Sequence, residues 1–119
     1  FFSKFMEKIE YVKFSDDAKE VFMDLYSKSD KSKQAKMLLK AVEYKIEIIK
    51  NQPNYGDNIP KRLIPKEYQV KHNIKSLFRV ELPCFWRMLY TVKKEEIEIV
   101  AFVVDILDHK KYNRKFGYK

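Results

Sequence analysis

The longest unbroken apolar run in the chain is Ile99-Val100-Ala101-Phe102-Val103-Val104. With Ile97 ahead of it, the segment is β-branched and nearly all apolar, the mark of a central strand in a sheet. It is far too short to cross a bilayer. The sequence before it supplies neighbours. Phe78, Val80 and Leu82 alternate with Arg79 and Glu81, and Trp86, Met88, Tyr90 and Val92 alternate with Arg87, Leu89 and Thr91. Alternation of period two predicts half-buried strands. Lys93 to Glu96 reads as a polar turn, so three strands form an antiparallel meander.

Upstream the period changes. Ile9 to Phe14 reads as a short strand, and Ser15 follows as a helix N-cap with Asp16 and Asp17 in the first turn, where carboxylates suit the helix dipole. Ala18, Val21, Phe22 and Leu25 then form the apolar stripe of an amphipathic helix. Ser27 to Ser32 is polar and breaks it. A second helix is predicted from about Asp30 to Lys50, with Ala35, Leu38, Leu39, Val42, Ile46 and Ile49 as its buried stripe. Residues 51–65 carry Pro53, Gly56, Pro60 and Pro65 without any period, which predicts a long loop of the kind often used for function. The expected architecture is α+β: an N-terminal strand and a helical hairpin packed on one face of a small, mainly antiparallel four-stranded sheet. The chain of 119 residues fits a single domain, 1–119.

Charge separates the two halves. Residues 1–60 hold 11 Lys/Arg against 10 Asp/Glu, whereas residues 61–119 hold 14 against 7, so nearly all of the net +8 lies in the second half. Lys61 to Arg79 and Lys110 to Lys119 are the dense stretches. Such clustering is the footprint of a polyanion partner, and evenly spread lysines would have favoured a merely soluble surface. A lone cysteine, Cys84, rules out an internal disulfide and fits a reducing cytosol. The first residues alternate Phe with Lys and Glu and lack an apolar core, so they read as no signal peptide, with the native start upstream of Phe1 or at Met6. A cytoplasmic protein is expected, with no membrane segment.

Strand parity also sorts the candidate chemistry. If the aromatic and aliphatic set packs on the helices, Arg79 and Arg87 both emerge on the open face of the sheet. An arginine fork grips phosphate oxygens two at a time, so this pair suits an RNA backbone. The opposing reading is that Glu81 neutralises one of them in an ordinary surface ion pair. On parity alone the two stand level. In the tail, His109 offers an imidazole, the side chain most used for proton transfer, and Tyr112 offers a hydroxyl, while His72 reads as a bystander. No cluster has metal-ligand spacing, no glycine-rich phosphate loop is present, and no nucleophile elbow occurs. Metal, nucleotide-binding and serine-hydrolase readings are rejected, and no cofactor is expected.

The stretch Leu77-Phe78-Arg79-Val80-Glu81-Leu82-Pro83-Cys84-Phe85-Trp86-Arg87-Met88-Leu89-Tyr90 resembles the paired-strand signature of RelE/ParE-type toxins. Asp108-His109-Lys110-Lys111-Tyr112, with Phe116-Gly117-Tyr118, is similar to the end of one RelE-like branch, and Lys13-Phe14-Ser15-Asp16-Asp17-Ala18 fits that branch's first strand and helix opening. The resemblance runs from about Ile9 onward. It implies the toxin of a type II toxin–antitoxin system: a ribosome-dependent, metal-free mRNA endoribonuclease that cleaves the message in the ribosomal A site, represses translation and is neutralised by a cognate antitoxin. Arg87 matches the family's phosphate-stabilising arginine, Arg79 a basic residue on the preceding strand, and His109 and Tyr112 the C-terminal positions for proton transfer or base stacking. Glu81 departs from members that have a lysine near there. Lys61, Arg62, Lys66, Lys110, Lys111 and Arg114 are RNA-binding candidates, the first three on charge alone. The alternative is a non-catalytic interaction protein of the same fold, either a gyrase-inhibiting toxin or an inactive antitoxin-binding relative. A free-standing RNA-binding module fits less well, because parity puts Trp86 and Tyr90 on the face away from the arginines.

Overall fold

The computed structural model describes residues 9–95 and 98–117. Outside the described residues lie the N-terminal segment read for a leader, Glu96 of the expected turn, Ile97 at the head of the last strand, and Tyr118 of the terminal motif.

Strand β1 is Tyr11–Phe14. Ser15 caps helix α1 (Asp16–Lys28), its Oγ accepting the Ala18 N–H at 3.0 Å, with Asp16 and Asp17 in the first turn as expected. Helix α2 (Lys33–Asn51) starts slightly later than its periodicity suggests, because Ser32 supplies the cap by accepting from Ala35 N–H at 3.1 Å. Ala35, Leu38, Val42 and Ile49 are buried along one stripe. There follow β2 (Asp57–Asn58), α3 (Lys66–His72), β3 (Phe78–Glu81), β4 (Arg87–Glu95), β5 (Glu98–Leu107) and α4 (His109–Lys115). The strands lie in the order β1-β5-β4-β3-β2, with β1 parallel to β5 and the other pairs antiparallel.

The fold is α+β, but its sheet has five strands and is mixed, where four mainly antiparallel strands were expected. The extra strand comes from the segment read as a structureless loop. Tyr90 Oη donates to the Pro53 carbonyl at 2.7 Å and accepts the Gly56 N–H at 3.0 Å, and this fastens the segment against the sheet. A Cβ on Gly56 would lie 3.0 Å from both the Arg79 carbonyl oxygen and Tyr90 Cε1, so any larger residue would have to push the sheet or the Tyr90 ring back by a few tenths of an ångström. Asp57 and Asn58 can then pair with Arg79 and Phe78. The expected turn at Lys93 is also strand: Lys93, Lys94 and Glu95 pair with Val100, Ile99 and Glu98. Lys93 is kept in the sheet by its position over the Phe102 ring, 4.5 Å from the centroid, and by donation to the His72 carbonyl at 2.9 Å.

Both faces of the sheet are covered. On one, α1 and α2 pack over Val80, Leu82, Met88, Tyr90, Ala101, Val103 and Ile106. On the other, Ile59, Ile64, Tyr68 of α3, Ile74 and Tyr112 of α4 pack over Leu77, Leu89, Val104 and Leu107. The expected open face is therefore a second core. Its strand residues are themselves apolar, and leaving them wet would forgo roughly 1.5–3 kcal/mol apiece. A β-bulge sits between the two cores: Leu89 pairs with Asp105 and Tyr90 with Val103, which leaves Val104 as the extra residue. Ser15 Oγ donates to the Val104 carbonyl at 2.6 Å, so the residue that caps α1 also satisfies the bulge.

The bulge is followed by a buried acid. Asp105 is 5% exposed and accepts the Tyr68 hydroxyl proton at 2.7 Å. Burial pushes its carboxyl above the ordinary range, and burial together with the Asp105 charge pushes the Tyr68 phenol up as well. The folded carboxyl thus holds its proton more tightly than the unfolded one. The stability that ionised Asp105 costs is absent at low pH and grows as pH rises from the unfolded carboxylate pKa, about 4, toward the higher folded value. Asp105→Asn keeps an acceptor for Tyr68 without the charge. Thermal melts between acid and neutral pH are expected to show the variant gaining on wild type as pH rises; a gap that stays constant or shrinks would contradict this account.

Candidate functional site

The register of β3 and β4 sets the geometry. Arg79 stands opposite Leu89 and Glu81 opposite Arg87, so both arginines and Glu81 share the face away from the helical hairpin. Strand parity is a local property, and the sequence reading placed the two arginines on a common face correctly. What it missed is the roof. Tyr112 of α4, 3% exposed, reaches both arginines: Arg79 Nη1 donates to its hydroxyl at 3.1 Å, and Arg87 Cζ lies 5.1 Å from its ring centroid. The ring stacks on Phe116 at 4.5 Å. Asp108 positions this helix by accepting the Lys111 N–H at 2.8 Å.

Carboxylates answer the arginines. One Glu81 oxygen lies 3.0 Å from Arg87 Nε and the other 3.6 Å from Arg79 Nε, so a single carboxylate spans the pair. Asp57, delivered by β2, accepts from Arg79 Nη2 at 3.2 Å. The hydrogen bond to Tyr112, followed by that to Asp57, raises the Arg79 pKa against the opposing effect of burial. The arginines are mostly covered, with side chains 31% and 15% exposed for Arg79 and Arg87. Their two Nε atoms are the buried side-chain polar atoms that find no hydrogen-bond partner among the described residues; Glu81 lies near both without making a hydrogen bond to either. An unsatisfied buried donor costs on the order of 1–3 kcal/mol. The cluster therefore sets two guanidiniums around one internal carboxylate that leaves two of their donors unmet.

The remaining candidates are spread around it. His109 is exposed at the start of α4, where Asn113 Nδ2 lies 3.2 Å from its Nε2, and its ring centroid is 5.8 Å from that of Phe85. Phe85 in turn takes a hydrogen bond on its carbonyl from Arg87 Nη1. Lys110, Lys111 and Arg114 are exposed on α4. Lys111 and Arg114 line a cleft of about 500 Å³ together with Asp17, Glu20, Glu67 and Asp105, so their charge is mixed with acids. Lys61, Arg62 and Lys66 are exposed on the segment that enters α3. His72, read as a bystander, packs edge-on against Phe102 at 5.4 Å, and burial, with Lys71 and Lys93 beside it, lowers its pKa. Among the described residues no group of His, Cys, Asp or Glu is arranged to hold a metal ion, and no helix is long and apolar enough to cross a membrane.

Sequence reasoning missed Asp57, Phe85 and the burial of Tyr112. Only the last had a local signal: Tyr112 and Phe116 are four apart, the spacing of one helix face. No family model, curated protein or solved structure matches the chain.

Tyr112 has separable contributions. Tyr112→Phe removes the oxygen that receives Arg79 and keeps the stacked ring, with an expected cost of about 0.5–1.5 kcal/mol. Tyr112→Ala also empties the second core and is expected to cost about 3–5 kcal/mol. Urea unfolding of both variants checks this, and equal losses would show that the ring is not what holds α4 down.

Proposed function

We propose that this protein is a RelE-like mRNA endoribonuclease that acts on the ribosome without metal, represses translation as the toxin of a type II toxin–antitoxin pair in the cytoplasm, and is held in check by a cognate antitoxin. The observation that carries the reading is the pair of buried, unsatisfied Nε donors on Arg79 and Arg87, both bordering one carboxylate. A phosphate in place of that carboxylate offers more oxygens, disposed around a tetrahedron, to the same donors.

The reaction is transesterification. The ribose 2′-oxygen attacks the adjacent phosphorus, its proton leaves to a base, the bond to the next nucleotide's 5′-oxygen breaks, and that oxygen takes a proton from an acid. Arg79 and Arg87 stabilise the negative charge that gathers on the phosphorane. His109 is the exposed proton-transfer group of the set. Tyr112, buried behind the arginines, acts on the reaction by positioning them. Among the described residues the bases seen against the arginines are the weakly basic carboxylates of Glu81 and Asp57, so the rate depends on the ribosome holding the message in line for attack. Lys110, Lys111 and Arg114, with Lys61, Arg62 and Lys66, contribute charge toward RNA, which makes affinity fall as salt rises.

A specific observation favours the second reading, a non-catalytic interaction protein of this fold. Glu81 and Asp57 already answer the charge of both arginines. Single-turnover cleavage of a ribosome-bound message separates the two. Wild type is expected to cleave, Arg87→Gln to lose on the order of a hundred- to a thousand-fold in rate, and His109→Ala roughly a hundred-fold. Glu81→Gln is expected to tighten RNA binding about two- to five-fold, the worth of a half-exposed ion pair. Arg87 is largely covered, so a melting curve accompanies its variant. A wild type that leaves every message intact sinks the nuclease reading and leaves the interaction protein, whereas variants that cleave at the rate of a cleaving wild type remove Arg87 and His109 from the site.

A further inference from the structure

The turn between β3 and β4 holds an aromatic ring in water. Cys84 and Phe85 have φ of 60° and 63°, a left-handed backbone that residues other than glycine seldom adopt, least of all two in succession. Strain of this kind persists only where the surroundings enforce it, and it concentrates at binding sites. Here Arg87 Nη1 enforces it by gripping the Phe85 carbonyl. The result is that Phe85 is 70% exposed, more than any other described aromatic residue, while its neighbour Trp86 packs against the hairpin core. His109 meets the ring at a tilt of 56°, and most of the ring faces solvent.

From this geometry we infer that Phe85, flanked by His109, is a stacking subsite for an unpaired nucleobase whose phosphate is held by Arg79 and Arg87. The inference rests on the RNA reading above and adds the place where a base binds. The turn ties the backbone of Phe85 to Arg87 through a direct hydrogen bond, so the aromatic surface stands beside the arginine pair. Lys110 and Lys111 stand exposed next to His109, which favours a polyanion over an apolar peptide as the occupant. Every base has a π face, so the subsite tolerates sequence while demanding a single strand. Phe85 is thus a binding residue. It offers no group for proton transfer.

The test compares two labelled probes by fluorescence anisotropy: a short single-stranded oligoribonucleotide, and a ribose-phosphate oligomer of equal length without bases. Wild type is expected to prefer the base-bearing probe. Phe85→Ala should reduce that preference by roughly five- to a hundred-fold, the usual worth of one base–aromatic stack, and Phe85→Trp should restore it. Because the ring lies in solvent, both variants should melt with wild type. A preference unchanged in Phe85→Ala overturns the inference, and so does a wild type that binds the two probes equally, in which case the phosphate site survives alone. A wild type that binds neither probe overturns the subsite, and cleavage of the ribosome-bound message then decides the RNA reading on its own. A preference that Phe85→Ala abolishes, in a wild type that cleaves no message, keeps the subsite and removes only the nuclease.

Discussion

Strand β5 is buried on both sides. Val100, Ala101, Val103, Val104, Ile106 and Leu107 are each at most 5% exposed; Ala101, Val103 and Ile106 belong to one core and Val104 and Leu107 to the other. A strand with no wet face needs a layer above and a layer below, and the rest of the chain is arranged to provide them. The amphipathic hairpin α1–α2 supplies one. The other has to be assembled from short pieces, the 59–64 segment, α3 and α4, none of which is long enough to be stable alone. The bulge at Val104 lets the strand serve both layers, and Ser15 makes that bulge tolerable by taking its carbonyl. The roof over Arg79 and Arg87 is therefore a by-product of covering β5: Tyr112 is drawn in by Leu89, Val104 and Leu107, and the arginines at the edge of that contact are drawn under it.

Partial burial explains why the arginine pair is so heavily supported. A guanidinium taken out of water needs charge and hydrogen bonds in return. Asp57 and Glu81 provide the first and the Tyr112 hydroxyl part of the second, yet two donors remain poorly met. Two opposing facts share one cause. On the RNA reading, the carboxylates that let the arginines be buried are also the anions that a phosphate would have to displace. On that reading a ligand gains only what it does better than Glu81.

The parts legible in the sequence are those decided by neighbours a few positions apart. Ser15 as a cap, the stripes of both helices, and the common face of Arg79 and Arg87 all follow from periods of 3.6 or 2. The second layer was not legible, because Ile59, Ile64 and Tyr68 lie in a proline-punctuated stretch with no period, and their burial depends on strands that follow later in the chain. Asp57 reaches Arg79 only because Tyr90, on another strand, pins the segment before it. Lys93 and Lys94 look like a turn by polarity and are strand because their partners on β5 hold them there. Asp105 was overlooked as the acid at the end of an apolar run, although a carboxylate in that position needs a partner such as Tyr68.

The parallel pairing of β1 with β5 has a consequence for how the protein is made. Residues 11–14 find their partners at 100–103, and Ser15 waits for a carbonyl 89 positions away. Synthesis runs from the N-terminus, so the helical hairpin is finished well before the strands that cover its apolar stripe. At roughly 5–20 residues per second the delay between the end of α2 and the arrival of β5 is about 3–10 s. A helical pair without its sheet is marginal on that timescale, and its stripe stays open to whatever binds amphipathic surfaces near the exit tunnel. The nascent chain thus shows the cell a face that the finished protein conceals.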